Sequence, residues 1–592
     1  MTLRLLFIPQ TRSIEVETES SGAGRLKVYP DVGRGFYDGD ALSCAVSPAS
    51  KTYSLKVRFR TTAARIELLS PDPSARIVAA SVTGLGDSTL LEGIRESSTV
   101  YSISSLPRLT DGLSIWQHLL SASLATALAL VALMKREWRD RAGRALSRLL
   151  TDPRPFSCKR TALLWALLAA MLWALATCAE VFHVLVHHID DPPHFPISVY
   201  DARAPTFLVL LSALGLLSAA AGAIHLAVRG RLSVKSVAVV ALTVLVTTNL
   251  LYGWRSGYVL PTAGPQMYFA DAKAIRSAAN FLYHFNDRQL TLRTHSRTHP
   301  PGAVLLYYAL LQITRSPGVI SLALGVASFA AVLAFTYGIV CPRAGHQAAG
   351  LVVLVLAFAP AIQVYFISSL DAVICATCIG TLYCFVHRAS VVRYSGTLLL
   401  LTLTMSLSFA SLLLFPVLAA YDVVVRRTAR TFLVVAGLSA LVSGAVGLAT
   451  NFQWLASLLT AAHYENPGGF ALFRNPGSYL FTRLEDVAEI CLFAGPLLLV
   501  AWARGLGARP KQDQLALLSV SSALVLGLMF LTGAFKTGET ARACLFVLPT
   551  LALPLATLSG GDRTLAPGQW QMLATTLAAQ AIAMQVVGDY YW

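Results

Sequence analysis

The sequence predicts a mainly α, polytopic transmembrane helical bundle of about 14 spans, preceded by a small N-terminal β-sandwich. Three observations predict it. First, only 13% of the 592 residues are charged and 55% are hydrophobic, with a mean hydropathy of +0.60. A soluble domain carries roughly 25% charged residues, so lipid must solvate much of this chain. Second, long apolar runs recur from Leu113 onward. Third, residues 1–111 are polar, rich in Gly and Ser, and alternate in hydrophobicity.

In that N-terminal region, Leu55, Val57 and Phe59 alternate with Lys56, Arg58 and Arg60, the pattern of a half-buried strand. Segments 65–69 and 76–80 read as further strands, with turn signals at Asp31-Val-Gly-Arg-Gly35, Asp38-Gly-Asp40 and Pro71-Asp-Pro73. An extracytoplasmic sandwich follows, serving either as a structural cap or in glycan contact. Met1–Pro9 is too short for a signal peptide or a span. Either the first span carries the domain across or the true start lies upstream of Met1, and the second is the expectation.

The predicted spans are 113–134, 161–187, 204–228, 236–254, 317–340, 347–367, 370–387, 396–408, 409–425, 431–451, 487–503, 514–532, 543–559 and 568–587. The spans divide into a first group over 112–235 and a larger group over 236–592. No repeat of fixed period is visible. The net charge of +16 does not indicate nucleic acid, because the basic residues sit in short gaps between apolar runs, where the positive-inside rule places them. Lys135–Arg160, the densest of these gaps, should be cytoplasmic. Alternation then puts 188–204, 255–301, 451–486 and the N-terminal region outside, in a multi-pass protein of the plasma or inner membrane. The nine cysteines fall mostly within apolar segments. Cys375 and Cys378 have metal-pair spacing, but with no second pair or His nearby they read as small buried hydrophobes.

The outer loop 255–301 is rich in cations: Lys273, Arg276, Arg288, Arg293 and Arg297, with His284, His295 and His299. Membrane insertion alone would keep an outer loop poor in Lys and Arg, so an anionic substrate or lipid headgroup is the expected partner. Spacing predicts a surface helix over 271–283, with Ala274, Ile275, Ala278 and Leu282 on one face and Lys273, Arg276 and Asn280 on another. Asp271 lies near its N-terminus and reads equally as an N-cap. After His299-Pro-Pro301, the apolar stretch Gly302–Ile313 is short for a span and is expected to dip into the outer leaflet.

In this order, Asp271, a surface helix and Thr298-His-Pro-Pro-Gly302, followed by Ser369-Leu-Asp-Ala372 and two short helices over 396–425, resemble the GT-C superfamily of polytopic glycosyltransferases. The pattern is most similar to that of the protein O-mannosyltransferases and the lipid A aminoarabinose transferases. The resemblance covers roughly Ser236 to Tyr421, with a looser echo to the end. Three spans and a β-domain precede the core, and Ser-Leu stands where the family often has Pro or Thr. The resemblance implies inverting transfer of a sugar from a polyprenyl-phosphate donor to an acceptor hydroxyl at the extracytoplasmic face, on a glycan, lipid or protein. Asp271 would be the general base. His299, Arg293 and Arg297 would stabilise the departing phosphate, with Lys273 and Arg276 behind them. Such lipid-monophosphate enzymes usually need no metal and no other cofactor, so a divalent ion is not favoured here.

Further candidates lie elsewhere. Glu539 and Arg542, in an element similar to a Gly-Glu-x-x-Arg of related bacterial sequences, either pair with each other or contact acceptor or phosphate. Asp371 opens its helix and is either an N-cap or a site residue. Glu180 lies in an apolar span with His183 three residues on, so a functional acid and a structural pair both fit. Asp190 and Asp191 are the runner-up for the catalytic position. With His187, His188 and His194 they also form a metal-like cluster, although such groups at loop edges are usually solvated. Segment 462–477 suits an acceptor-side loop or an inert connector. Two other classes compete. An O-antigen ligase or polymerase would rely on outer Arg and His rather than a carboxylate. A transporter would carry repeats and midplane polar residues.

Overall fold

The computed structural model describes residues 12–19, 24–31, 42–47, 52–57, 63–70, 75–83, 91–92, 94–95 and 100–103, and then 201–590 apart from 204, 265, 368–369, 466–471, 473–475, 508–512, 532–539 and 561–563. The predicted spans 113–134 and 161–187 lie outside the described residues, as do Glu180, Asp190, Asp191 and Glu539.

The N-terminal region is a β-sandwich. Strands β1 (Arg12–Glu19), β4 (Thr52–Val57), β6 (Arg76–Thr83) and β7 (Leu91–Glu92) form one antiparallel sheet in the order β4-β1-β6-β7. Strands β2 (Gly24–Asp31), β3 (Leu42–Val46), β5 (Ala63–Leu69), β8 (Ile94–Arg95) and β9 (Val100–Ile103) form the other, in the order β3-β2-β5-β9-β8. Val16 and Ile77 from the first sheet share one core with Leu26, Val28, Val46, Ile66 and Leu68 from the second. Alternation produces this arrangement: Leu26 and Val28 are buried while Arg25 is exposed. Tyr53, two residues before Leu55, packs against the same core, on the face that sequence alternation assigned inward.

From residue 201 the chain is helical, apart from two short strands. Four described helices are long and apolar enough to cross a membrane: α1 (Phe207–Val228), the long helix Pro317–Ala357, Arg430–Thr450 and Gln514–Leu531. Two sharply bent helix pairs raise this to six if each is one span. α1 starts where Thr206 accepts from the Val209 N–H, and α2 (Val234–Leu250) where Ser233 accepts from the Ser236 N–H. The two short strands, β10 (Asp201–Ala202) and β11 (Gly588–Asp589), pair and tie the start of α1 to the chain's end. Arg203 reinforces this tie, binding Asp589 at 2.5 Å and Ser256 at 2.8 Å.

Three predicted elements differ in the structure. The single surface helix over 271–283 is two helices, α3 (Tyr268–Ala274) and α4 (Ala278–Tyr283), separated by an extended Ile275. Ser277 causes the break, since its hydroxyl caps α4 by accepting from the Asn280 N–H. The kink at Gly345 (φ 86°) separates 317–340 from the next helix as predicted, but that helix ends at Ala357 and a second one, Pro360–Tyr365, completes 347–367, while 487–503 is no straight span, because Gly495 (φ 91°) separates two helices at 89°. Both glycines hold left-handed conformations that side chains rarely adopt.

Beyond α4 come α5 (Thr294–Arg297), α6 (Gly302–Leu311), α7 (Pro317–Ala357), α8 (Pro360–Tyr365) and α9 (Leu370–Val386). They are followed by α10 (Thr397–Leu407), α11 (Leu414–Val425), α12 (Arg430–Thr450), α13 (Trp454–Glu465), α14 (Pro476–Ala494), α15 (Pro496–Gly507), α16 (Gln514–Leu531), α17 (Thr540–Ala543) and α18 (Pro567–Val587). Helix α9 is buried along nearly its whole length, against α7, α10 and the turn at 545–547. A helix apolar on every side belongs at the centre of a bundle. Of the residues of α12 only Thr431, Val435 and Ser439 are buried, which places that helix on the periphery. Gln363 joins α2, α8 and α18 by donating to the Ala241 carbonyl while its own carbonyl accepts from Gln585, the polar bonding between helices that an apolar solvent favours. Cys375 and Cys378 are buried free thiols on α9, as their apolar setting implied.

Candidate active site

The central helix α9 opens with Asp371 in its first turn. Its carboxylate meets the guanidinium of Arg542 on α17, with Nε 3.3 Å from Oδ2. Both side chains are largely buried, 17% and 8% exposed. Arg542 thus pairs with a residue from the core of the bundle, while Glu539, the partner the sequence offered, lies outside the described residues.

Around this pair stand four side chains, three from the loop 255–301 and one from α6. Tyr268 on α3 stacks on Tyr307 of α6, with centroids 5.8 Å apart and planes at 10°. His299 meets the Tyr268 ring edge-on at 5.4 Å, and His295 lies 5.9 Å from the same ring. The two histidines are four residues apart, His295 on the single turn Thr294–Arg297 and His299 two residues past its end. The Nδ1 of His299 bonds the carbonyl of His295 at 3.0 Å. A carbonyl can only accept, so Nδ1 carries the proton and the neutral ring keeps Nε2 as an acceptor.

The electrostatics follow from burial. Desolvation holds both imidazoles below their ordinary pKa of 6.5, and the Arg542 charge lowers each further. At His299 the Asp371 carboxylate and the His295 carbonyl oppose the shift. Burial also raises the Tyr268 phenol, and Asp371 adds to it. The assembly therefore carries one ion pair, two neutral imidazoles and two protonated phenols.

Asp271 sits on α3 one helical turn beyond Tyr268, and its Oδ2 accepts the N–H of Arg293 at 3.0 Å. That bond docks α3 against the start of α5, where His295 lies. The other predicted cations are dispersed. Lys273, Arg276 and Arg293 are exposed, and the Arg297 guanidinium lies over the Tyr464 ring at 4.7 Å. Gln289, fully buried, braces the loop by donating to the carbonyls of Arg297 and Ser457. Segment 451–465 thereby packs on the loop 255–301.

Of the predicted residues, His299, Arg542 and Asp371 come together, with Asp271 on the flank. Tyr268, Tyr307 and His295 were not singled out as site residues, although the i, i+4 spacing of the two histidines was visible. Among the described residues, no group of three or more His, Cys, Asp or Glu side chains is placed to hold a metal ion. Chemically, a guanidinium beside neutral imidazoles can receive an anion once the anion displaces Asp371, and a half-buried carboxylate nearby can accept a proton. Comparison of the chain with protein-family models, curated proteins and solved structures finds no match.

Proposed function

We propose that this protein is a GT-C-like membrane glycosyltransferase of the cell membrane, built on about fourteen spans. In this reading it transfers a sugar from a polyprenyl-phosphate donor to an acceptor hydroxyl at the extracytoplasmic face, with inversion. The observation that carries the reading is the assembly of the buried Asp371–Arg542 pair with His295, His299, Tyr268 and Tyr307 beneath a cation-rich loop. Asp271 takes the proton of the acceptor hydroxyl, whose oxygen forms the new bond to the anomeric carbon. The bond from that carbon to the phosphate oxygen breaks, and the lipid phosphate leaves with the electron pair. Arg542 turns from Asp371 to the leaving phosphate, while His299 offers a polar contact within the same low-dielectric setting.

The test is incubation of purified protein with labelled polyprenyl-phosphate sugars and an acceptor, comparing wild type with Asp271→Asn. Transfer by the wild type and its loss in the variant support the mechanism, and equal transfer by both removes Asp271 from it. One observation favours a second reading. Asp271 already holds the Arg293 N–H, while Arg542 and His299 lie within the assembly, as an O-antigen ligase-like reaction would use them. In that case Asp271→Asn retains transfer, and Arg542→Ala and His299→Ala abolish it.

A further inference from the structure

Helix α14 presents four polar side chains at helical spacing, Tyr479, Arg483, Asp486 and Glu489, which therefore share one face. The first two hold the end of α16: the Tyr479 hydroxyl donates to the Leu531 carbonyl at 2.6 Å, and Arg483 Nη1 to the Phe530 carbonyl at 2.7 Å. The second two hold the start of α17. Asp486 Oδ1 accepts from the Thr540 hydroxyl at 2.6 Å, and Glu489 Oε1 from the Ala541 N–H at 3.1 Å. Asp486 also pairs with Arg483 at 3.0 Å. Asp486, Glu489 and Thr540 are fully buried.

Thr540 and Ala541 immediately precede Arg542. Helix α17 has only four residues, Thr540–Ala543, so it cannot hold itself in place by internal hydrogen bonds, and its first N–H groups need outside acceptors. Fully buried acids are expensive unless they are bonded, and their presence needs a reason. Here both carboxylates end on the two residues that aim Arg542.

We propose that Asp486 and Glu489 are positioning residues for Arg542: they anchor α17 so that the guanidinium stays directed at Asp371 and His299 when an anion replaces Asp371. The proposal rests on the reading of Arg542 as the contact to the leaving phosphate. A merely structural role would spread the damage through the bundle, whereas a positioning role is confined to Arg542.

Two readouts on the full chain in lipid nanodiscs test it. Phenylglyoxal labelling, mapped by mass spectrometry, reports the accessibility of each arginine without needing turnover. Arg542 should label about tenfold faster in Asp486→Ala, Glu489→Ala and Thr540→Val, with Arg343 and Arg426 unchanged, as expected for local opening. Glu489→Gln keeps an acceptor oxygen and should label like wild type. Unchanged labelling of Arg542 in all three variants, or a rise at every arginine, overturns the proposal. In the transfer assay, kcat of Glu489→Ala and Thr540→Val should fall by about tenfold, and the same changes should cost less than about twofold in an Arg542→Lys background. Additive losses overturn it. Should the wild type transfer no sugar at all, the enzymatic reading fails, and labelling alone decides the positioning claim.

Discussion

Two Asp–Arg pairs in this molecule invite comparison. Asp422 and Arg426 are four apart on one helical turn, 3.0 Å from each other. The second Asp422 oxygen accepts the Phe432 N–H at 2.9 Å, while Arg426 donates to the Phe385 carbonyl and lies over the Phe385 and Tyr421 rings. Those groups are spent on the backbones of α9 and α12, so the pair is a lock between helices. Asp371 and Arg542 come instead from segments far apart in the chain and meet at 3.3 Å through Nε. That is longer than the roughly 2.7–2.9 Å of a strong charge-assisted bond. Near them stand the ionisable side chains of Tyr268, His295, His299 and Tyr307. The difference teaches that a locked pair serves stability, whereas a pair with a longer contact beside neutral imidazoles is suited to exchanging partners.

The largest expected effect is on catalysis at the flank of the second pair. Asp271→Asn should lower the transfer rate by about a thousandfold, within the span usual for loss of a general base. It should leave the melting temperature nearly unchanged, because the amide oxygen still accepts the Arg293 N–H. Initial rates and differential scanning fluorimetry check both halves.

The first pair should show the opposite behaviour. Arg426→Ala leaves Asp422 buried without its cation and should cost about 3–5 kcal/mol of stability. Denaturant unfolding measures this, and turnover per folded molecule should stay at the wild-type level.

The two imidazoles sharpen the contrast by pH. Both have folded pKa values depressed below 6.5 by burial, so the unfolded chain binds protons at a pH where the folded chain does not. Their contribution to stability is therefore present above pH 6.5, falls as the pH drops below it, and levels off beneath the folded values. Thermal unfolding followed from pH 7.5 to 5 should fall less steeply in a His295→Gln, His299→Gln double variant than in wild type.

The smallest effect is expected at Arg297, which faces Tyr464 rather than the assembly. Arg297→Ala should cost no more than about 1 kcal/mol and leave transfer within about threefold of wild type. A near-complete loss would bring Arg297 back among the phosphate contacts.

Much of this was legible in the residues, and the reasons for the rest are physical. Apolar runs located α9, α12, α16 and α18 closely, because a helix in lipid must satisfy its own backbone and show little else. Alternation over 53–60, 65–69 and 76–80 likewise located three of the strands of the N-terminal sheets. Charge excess pointed to the loop 255–301, and the first-turn acid of α9 to Asp371. The pairing of Asp371 with Arg542 was not legible, since nothing in local spacing links segments so distant. Asp486 escaped notice because a charged residue reads as the edge of a hydrophobic span, and Glu489 because it fell within the predicted span 487–503, whereas α14 carries both inside its buried face. The break between α3 and α4 was hidden by apolar periodicity that continues across Ser277, where the capping hydroxyl outweighs it.

The comparison of the two pairs is tested most directly by sugar-transfer rates of Arg542→Ala and Arg426→Ala, measured side by side in the same nanodiscs and normalised to folded protein. The account requires transfer to be lost when Arg542 is removed and kept when Arg426 is removed. Equal rates in the two variants, or loss only on removing Arg426, would contradict it.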